Sequence, residues 1–178
     1  MIETEDRRKL IDVARRSMRA AIAGEPFEPG IPEDGPLAED RGAFVTITKG
    51  GALRGCIGRV LSDRPLVAVV AEMARAAALE DPRFPPVGAD ELDGLDIEIS
   101  AMGRLRRVDG PRDVTIGRDG LIVRQGGRSG LLLPQVATDH GCDAERFLEE
   151  TCRKAGLPGD AWREGSQIEA FGAEVWGE

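Results

Sequence analysis

Histidine is nearly absent: His140 is the only one in 178 residues, and tyrosine is missing altogether. A histidine-rich metal site is therefore excluded, and general acid–base work falls to carboxylates, cysteine or lysine. Cysteine is scarce and odd in number, with Cys56, Cys142 and Cys152 showing no CxxC spacing. That pattern fits a reduced, cytoplasmic protein rather than a disulfide framework. Lysine occurs only at Lys9, Lys49 and Lys154. Arginine carries the remaining positive charge, an imbalance that suggests a GC-rich bacterial genome. No apolar run approaches the ~20 residues a membrane span needs. The charged start, with Glu3, Glu5, Asp6, Arg7 and Arg8, does not read as a signal peptide. The formal net charge of −8 disfavours general electrostatic binding of nucleic acid.

What is present reads as a single domain over residues 1–178, long enough to bury its own core. Over 4–23, Leu10, Ile11, Ala14, Met18, Ala21 and Ile22 recur at helical spacing, with Thr4 as cap and Gly24 as stop. The loop 25–41 holds Pro26, Pro29, Pro32 and Pro36 and is a surface flap or tether. Residues 44–48 and 53–60 read as strands joined by Lys49-Gly50-Gly51. Asp63 and Pro65 open a helix running to about Leu79, with Leu66, Val69, Val70 and Met73 as its apolar stripe. Three prolines make "DPRFPP" at 81–86 a stiff connector. Residues 95–101 alternate as a half-buried strand. Short strands are expected at 114–117, 120–124 and 131–133, the last stopped by Pro134. Asp143 caps a helix running through Ala155, with Phe147, Leu148, Thr151 and Cys152 inward. A short helix at 160–163 precedes a last strand at 167–176, whose change of phase predicts a bulge near Gly172. Strands and helices in mixed order, with hairpins, argue an α+β fold with a mainly antiparallel sheet flanked by helices.

Strand parity puts Arg54, Cys56 and Gly58 on one face, with Cys56 roughly 7 Å from Arg54. A neighbouring guanidinium raises a thiol's thiolate fraction, and Gly55 and Gly58 let a backbone or a ligand come close. On that reading Cys56 is a catalytic nucleophile with Arg54 beside it. On the other, Cys56 is a small apolar residue of a tight strand. Asp81 and Arg83 either position a substrate from the stiff loop or brace its turn. Glu98 and Ser100 lie on the polar face of the 95–101 strand; Glu98 is the candidate proton-transfer group and Ser100 a substrate contact, or both are simply solvated. Between 104 and 128, seven arginines stand against three aspartates. No aromatics interleave for base stacking, so RNA contact there is the weakest hypothesis. Cys142 and Cys152 do not make a metal pair, no metal site is read, and the residues leave any cofactor unknown.

Several segments together are familiar. "FVTI" at 44–47, "LRGCIG" at 53–58, "DPRFPP" at 81–86, "LDIEIS" at 95–100, "GLLLPQVA" at 130–137, "FLEETCRKAGLP" at 147–158 and "IEAFGAEVWGE" at 168–178 run in order along the chain. In these the sequence resembles the AMMECR domain family. The resemblance implies a larger and a smaller lobe with a cleft between them. It implies that Arg54, Gly55, Cys56 and Gly58 line or support that cleft, and that Asp81, Arg83, Glu98 and Ser100 fall at motif positions. It supplies no reaction and no cofactor. The family's association with Memo-like proteins and radical S-adenosylmethionine enzymes implies an enzymatic or substrate-handling role in a modification pathway. The alternative is a non-catalytic module binding a peptide or small ligand. Two positions depart from the family pattern: Asp119 stands where many members carry His, and Cys142 where many carry Trp.

Overall fold

The computed structural model describes residues 1–178. In chain order its elements are α1 (Thr4–Ala23), β1 (Ala43–Lys49), β2 (Ala52–Arg59), α2 (Leu66–Leu79), β3 (Leu95–Met102), β4 (Arg106–Arg107), β5 (Gly120–Gln125), β6 (Arg128–Leu132), α3 (Pro134–Asp139), α4 (Ala144–Lys154), β7 (Gln167–Phe171) and β8 (Ala173–Gly177). They form two four-stranded sheets, ordered β2-β1-β3-β8 and β4-β7-β5-β6. The fold is α+β, as the mixed element order requires. Two compact units are formed by residues 1–102 with 174–178, and by residues 103–173. No helix is long and apolar enough to cross a membrane.

In the first unit, β1 pairs antiparallel with β2 and with β3. Gly50 and Gly51 take positive φ, 56° and 79°, the geometry a two-residue hairpin turn demands. Val45, Ile47, Ile97 and Ile99 face inward with Leu10, Ala14 and Met18 of α1. Thr4 is not the cap of α1. Glu3 holds that position, without a side-chain bond, and Thr4 is the first helical residue. The apolar stripe expected on α2 is too narrow: 11 of its 14 residues are buried. The helix packs on β1 and β2 and along α1 beside it, so it must be apolar over most of its circumference. Nor does Asp63 open it. Its first N–H groups are satisfied from the preceding loop, where Leu66 N donates to Glu39 O at 2.9 Å and Val67 N to Leu37 O at 3.1 Å.

In the second unit, Leu121 and Val123 of β5 and Ile168 and Ala170 of β7 pack with Phe147, Leu148 and Cys152 of α4. Asp143 caps α4, accepting from Arg146 N at 2.8 Å, a bond worth about 1 kcal/mol. Three expectations are corrected here. Residues 114–117 form no strand. Pro134, read as a stop, also opens the short helix α3, since proline fits the first helical position. The 167–176 segment is not one bulged strand: β7 belongs to the second sheet and β8 to the first, and the phase change at Gly172 is where the chain changes sheets.

Candidate functional site

The two sequence motifs meet at the edge of the first sheet. β2 is an edge strand, so alternate backbone groups along it have no ladder partner. At Cys56 the 81–86 loop supplies partners. Cys56 N donates to Asp81 Oδ2 at 2.8 Å, and Arg83 Nη2 donates to Cys56 O at 3.3 Å. Asp81 also takes Arg83 Nε and Nη2 at 2.9 and 2.7 Å. The Arg83 guanidinium, and then the Cys56 N–H, hold the buried Asp81 carboxyl well below the usual carboxylate range. Because its N–H and C=O point outward, Cys56 forms with Thr46 the closer kind of antiparallel pair. Thr46 Oγ1 accordingly lies 3.3 Å from Cys56 Sγ, and the thiol is half-buried.

Arg54 is directed elsewhere. The β1–β2 register slips after Ile47, with Gly55 opposite Ile47 and Leu53 opposite Thr48, which leaves Arg54 as the extra residue of a bulge. A bulge re-aims its side chain. Arg54 Nε and Nη2 donate to Glu91 at 3.3 and 3.0 Å, and Nη1 donates to Pro85 O at 2.9 Å. Lys49 Nζ is 3.0 Å from the same carboxylate. Arg54 first, then Lys49 and the Gly88 N–H, bring the Glu91 carboxyl down to about 2. Both arginines of the motifs thus fasten the 81–91 segment to the edge strand.

The sheet face away from α1 and α2 carries the other candidates. Thr46 lies between Cys56 and Glu98 in one cross-strand row; Phe44 lies between Gly58 and Ser100 in the next. Two strand spacings put Glu98 about 10 Å from Cys56 by backbone, so proton transfer between them needs both side chains to lean across Thr46 or a bridging water. Glu98 and Asp96 are exposed. Gly55 is on the opposite face, where a Cβ would stand 2.2 Å from Ala77 O of α2. At Gly58 the Phe44 ring fills the Cβ position, 2.2 Å away. Both glycines are required by packing within the unit. Thr46, Phe44 and Glu91 were not singled out from the sequence. The alternation in "FVTI" was the available signal for the first two.

The arginine-rich segment is largely committed in the same way. Arg106 and Arg118 hold buried Asp119 at 2.6 and 2.9 Å, and Thr115 N donates to it at 2.8 Å. Asp119 is therefore the centre of a structural knot. Arg107 pairs with Asp109, Arg124 with Glu169, and Arg128 donates to Gly156 O. His140 is exposed and lines a hollow of about 230 Å³ with Cys142, Arg146 and Glu150. Burial pushes the Cys152 thiol up. No cluster of three or more His, Cys, Asp or Glu residues could hold a metal ion.

A protein of Methanosarcina acetivorans is 39% identical over 187 residues, covering 100% of this chain and 94% of its own. One of Thermococcus gammatolerans is 44% identical over 183 residues, covering 95% of this chain and 88% of its own. These relatives are archaeal, which lends the bacterial reading of the arginine bias no support. The crystal structure of the uncharacterized protein PH0010 from Pyrococcus horikoshii superposes with a TM-score of 0.69 at 42% identity, covering 95% of this chain and 89% of that one. The AMMECR1 family model matches residues 11–176. With that match spanning nearly the whole chain, the protein belongs to the AMMECR1 family.

Proposed function

We propose that the face bearing Thr46, Cys56, Glu98 and Ser100 is a preformed binding surface for a small ligand or peptide, and that the protein handles a substrate rather than attacking it. One observation carries this reading: the guanidiniums of Arg54 and Arg83 are both tied down, to Glu91 and to Asp81. A cysteine nucleophile needs a nearby cation or base to raise its thiolate fraction. The thiol itself is bonded by the neutral Thr46 hydroxyl, and Arg83, which reaches the Cys56 carbonyl, has its charge matched by the Asp81 carboxylate. What the two motifs do supply is rigidity, because the edge strand is clamped at the residue that presents the thiol. A rigid surface binds at lower ordering cost. Partnership with Memo-like and radical S-adenosylmethionine proteins, as the family association implies, fits a substrate-handling role.

The half-exposed thiol favours a second reading, in which Cys56 is a nucleophile or covalent carrier with Glu98 as proton-transfer group. Iodoacetamide separates the two. At neutral pH, native Cys56 should be alkylated no faster than free glutathione under the same conditions, as peptide mass spectrometry would show. Alkylation several-fold faster than glutathione would overturn the binding reading in favour of the nucleophile.

A further inference from the structure

We propose that residues 25–32, followed by an acidic bend at Glu33-Asp34, are a polyproline-II docking strap, read by a partner protein through an aromatic-lined groove with a basic rim. The inference is independent of the sheet face. Pro26, Pro29 and Pro32 are spaced three apart, which is one turn of a polyproline-II helix, so all three share an edge. Proline fixes its own φ and pushes the residue before it to extended conformations. Glu25, Glu28 and Ile31 are those preceding residues, which leaves only Phe27 and Gly30 of 25–32 unconstrained by proline. Positive φ occurs at Gly24 and Gly35, on either side, and at no residue between them. None of residues 26–34 makes a backbone hydrogen bond to the body of the protein, as expected of a helix that bonds only to solvent.

The strap is presented over most of its length, with Phe27 and Pro29 half-buried. Pro26 and Pro32 are exposed and Ile31 is 57% exposed. Hollows of about 880 and 390 Å³ flank it, and Ile31 lines both. Its fixed point is Phe27, whose ring lies 5.3 Å from the Arg16 guanidinium. Grooves that read P-x-x-P segments are lined with aromatics and gain from a partner already in this conformation. Glu25, Glu28, Glu33 and Asp34 add four carboxylates and no cation, so the complementary groove has a basic rim.

The test is a titration of the ¹⁵N-labelled full-length chain with purified SH3, WW and EVH1 domains spanning acidic to basic groove rims. Basic-rimmed domains should shift the amides of Phe27, Glu28, Gly30, Ile31, Glu33 and Asp34. That binding should weaken at least about tenfold in a Pro29→Ala/Pro32→Ala variant and fall with added salt. The variant's remaining amide spectrum reports that the fold is intact. If no domain shifts the strap amides, or if the double variant binds as tightly as the parent, the proposal is overturned.

Discussion

Gly55→Ala tests whether the glycine of the "LRGCIG" segment serves packing or a ligand. An added methyl would stand 2.2 Å from Ala77 O and 3.1 Å from Ile47 Cγ1, where ordinary contact begins at 3.4 Å. The first obstacle is helix backbone, so no rotamer change relieves it. α2 would have to move by about 1 Å, and it is buried on both sides. Overpacking a core costs about 1–3 kcal/mol, and a backbone obstacle places this substitution near the top, at about 3 kcal/mol. For a chain of this size each kcal/mol is worth about 2–4 °C, so Tm should fall by about 6–12 °C. Urea unfolding should show a lower midpoint with an unchanged slope. The control is Gly94→Ala, where nothing lies within 4 Å of the added atom; it should change stability by less than about 1 kcal/mol. If Gly55 existed to admit a ligand, Gly55→Ala would fold with parental stability and lose only binding. A loss under about 0.5 kcal/mol would refute the packing argument.

Acid should release the clamp in a defined window. Glu91 falls from an ordinary 4.5 to about 2 in the folded protein. A depressed folded pKa stabilises fully above the unfolded value, and that contribution is lost as pH drops from about 4.5 towards about 2. Urea midpoints measured from pH 7 to pH 2 should fall less steeply in Glu91→Gln than in the parent; equal slopes would show that the carboxylate is not coupled to folding. In the second unit, Asp143→Ala should cost about 1 kcal/mol by losing the cap of α4, and an unchanged urea midpoint would contradict the capping role.

Local chemistry was readable and long-range chemistry was not. The hairpin at Gly50-Gly51, the alternation of β3 and the capped, glycine-stopped α4 each follow from a few adjacent residues, and each stands as expected. The change of phase at Gly172 was visible too, but in one dimension a bulge and a change of sheet leave the same mark. Which one occurs depends on whether β8 finds β3 as its neighbour, and β3 lies some 75 residues earlier in the sequence. Arg54 makes the same point for chemistry. Its spacing from Cys56 suggested a tuned thiol, yet an arginine side chain goes where its best carboxylate is. That carboxylate is Glu91, 37 residues away, reached only because β2 bulges at Arg54 and a stiff loop folds back along the edge. Asp119 shows both cases, with Arg118 its neighbour in sequence and Arg106 thirteen residues away. In a chain with 24 cations and 32 acids, neighbours such as Asp81–Arg83 and Arg107–Asp109 do pair, but the sequence does not show which arginine is drawn to a distant acid. The sequence therefore located the thiol, while its electrostatic surroundings depended on pairings that only the folded sheet edge determines.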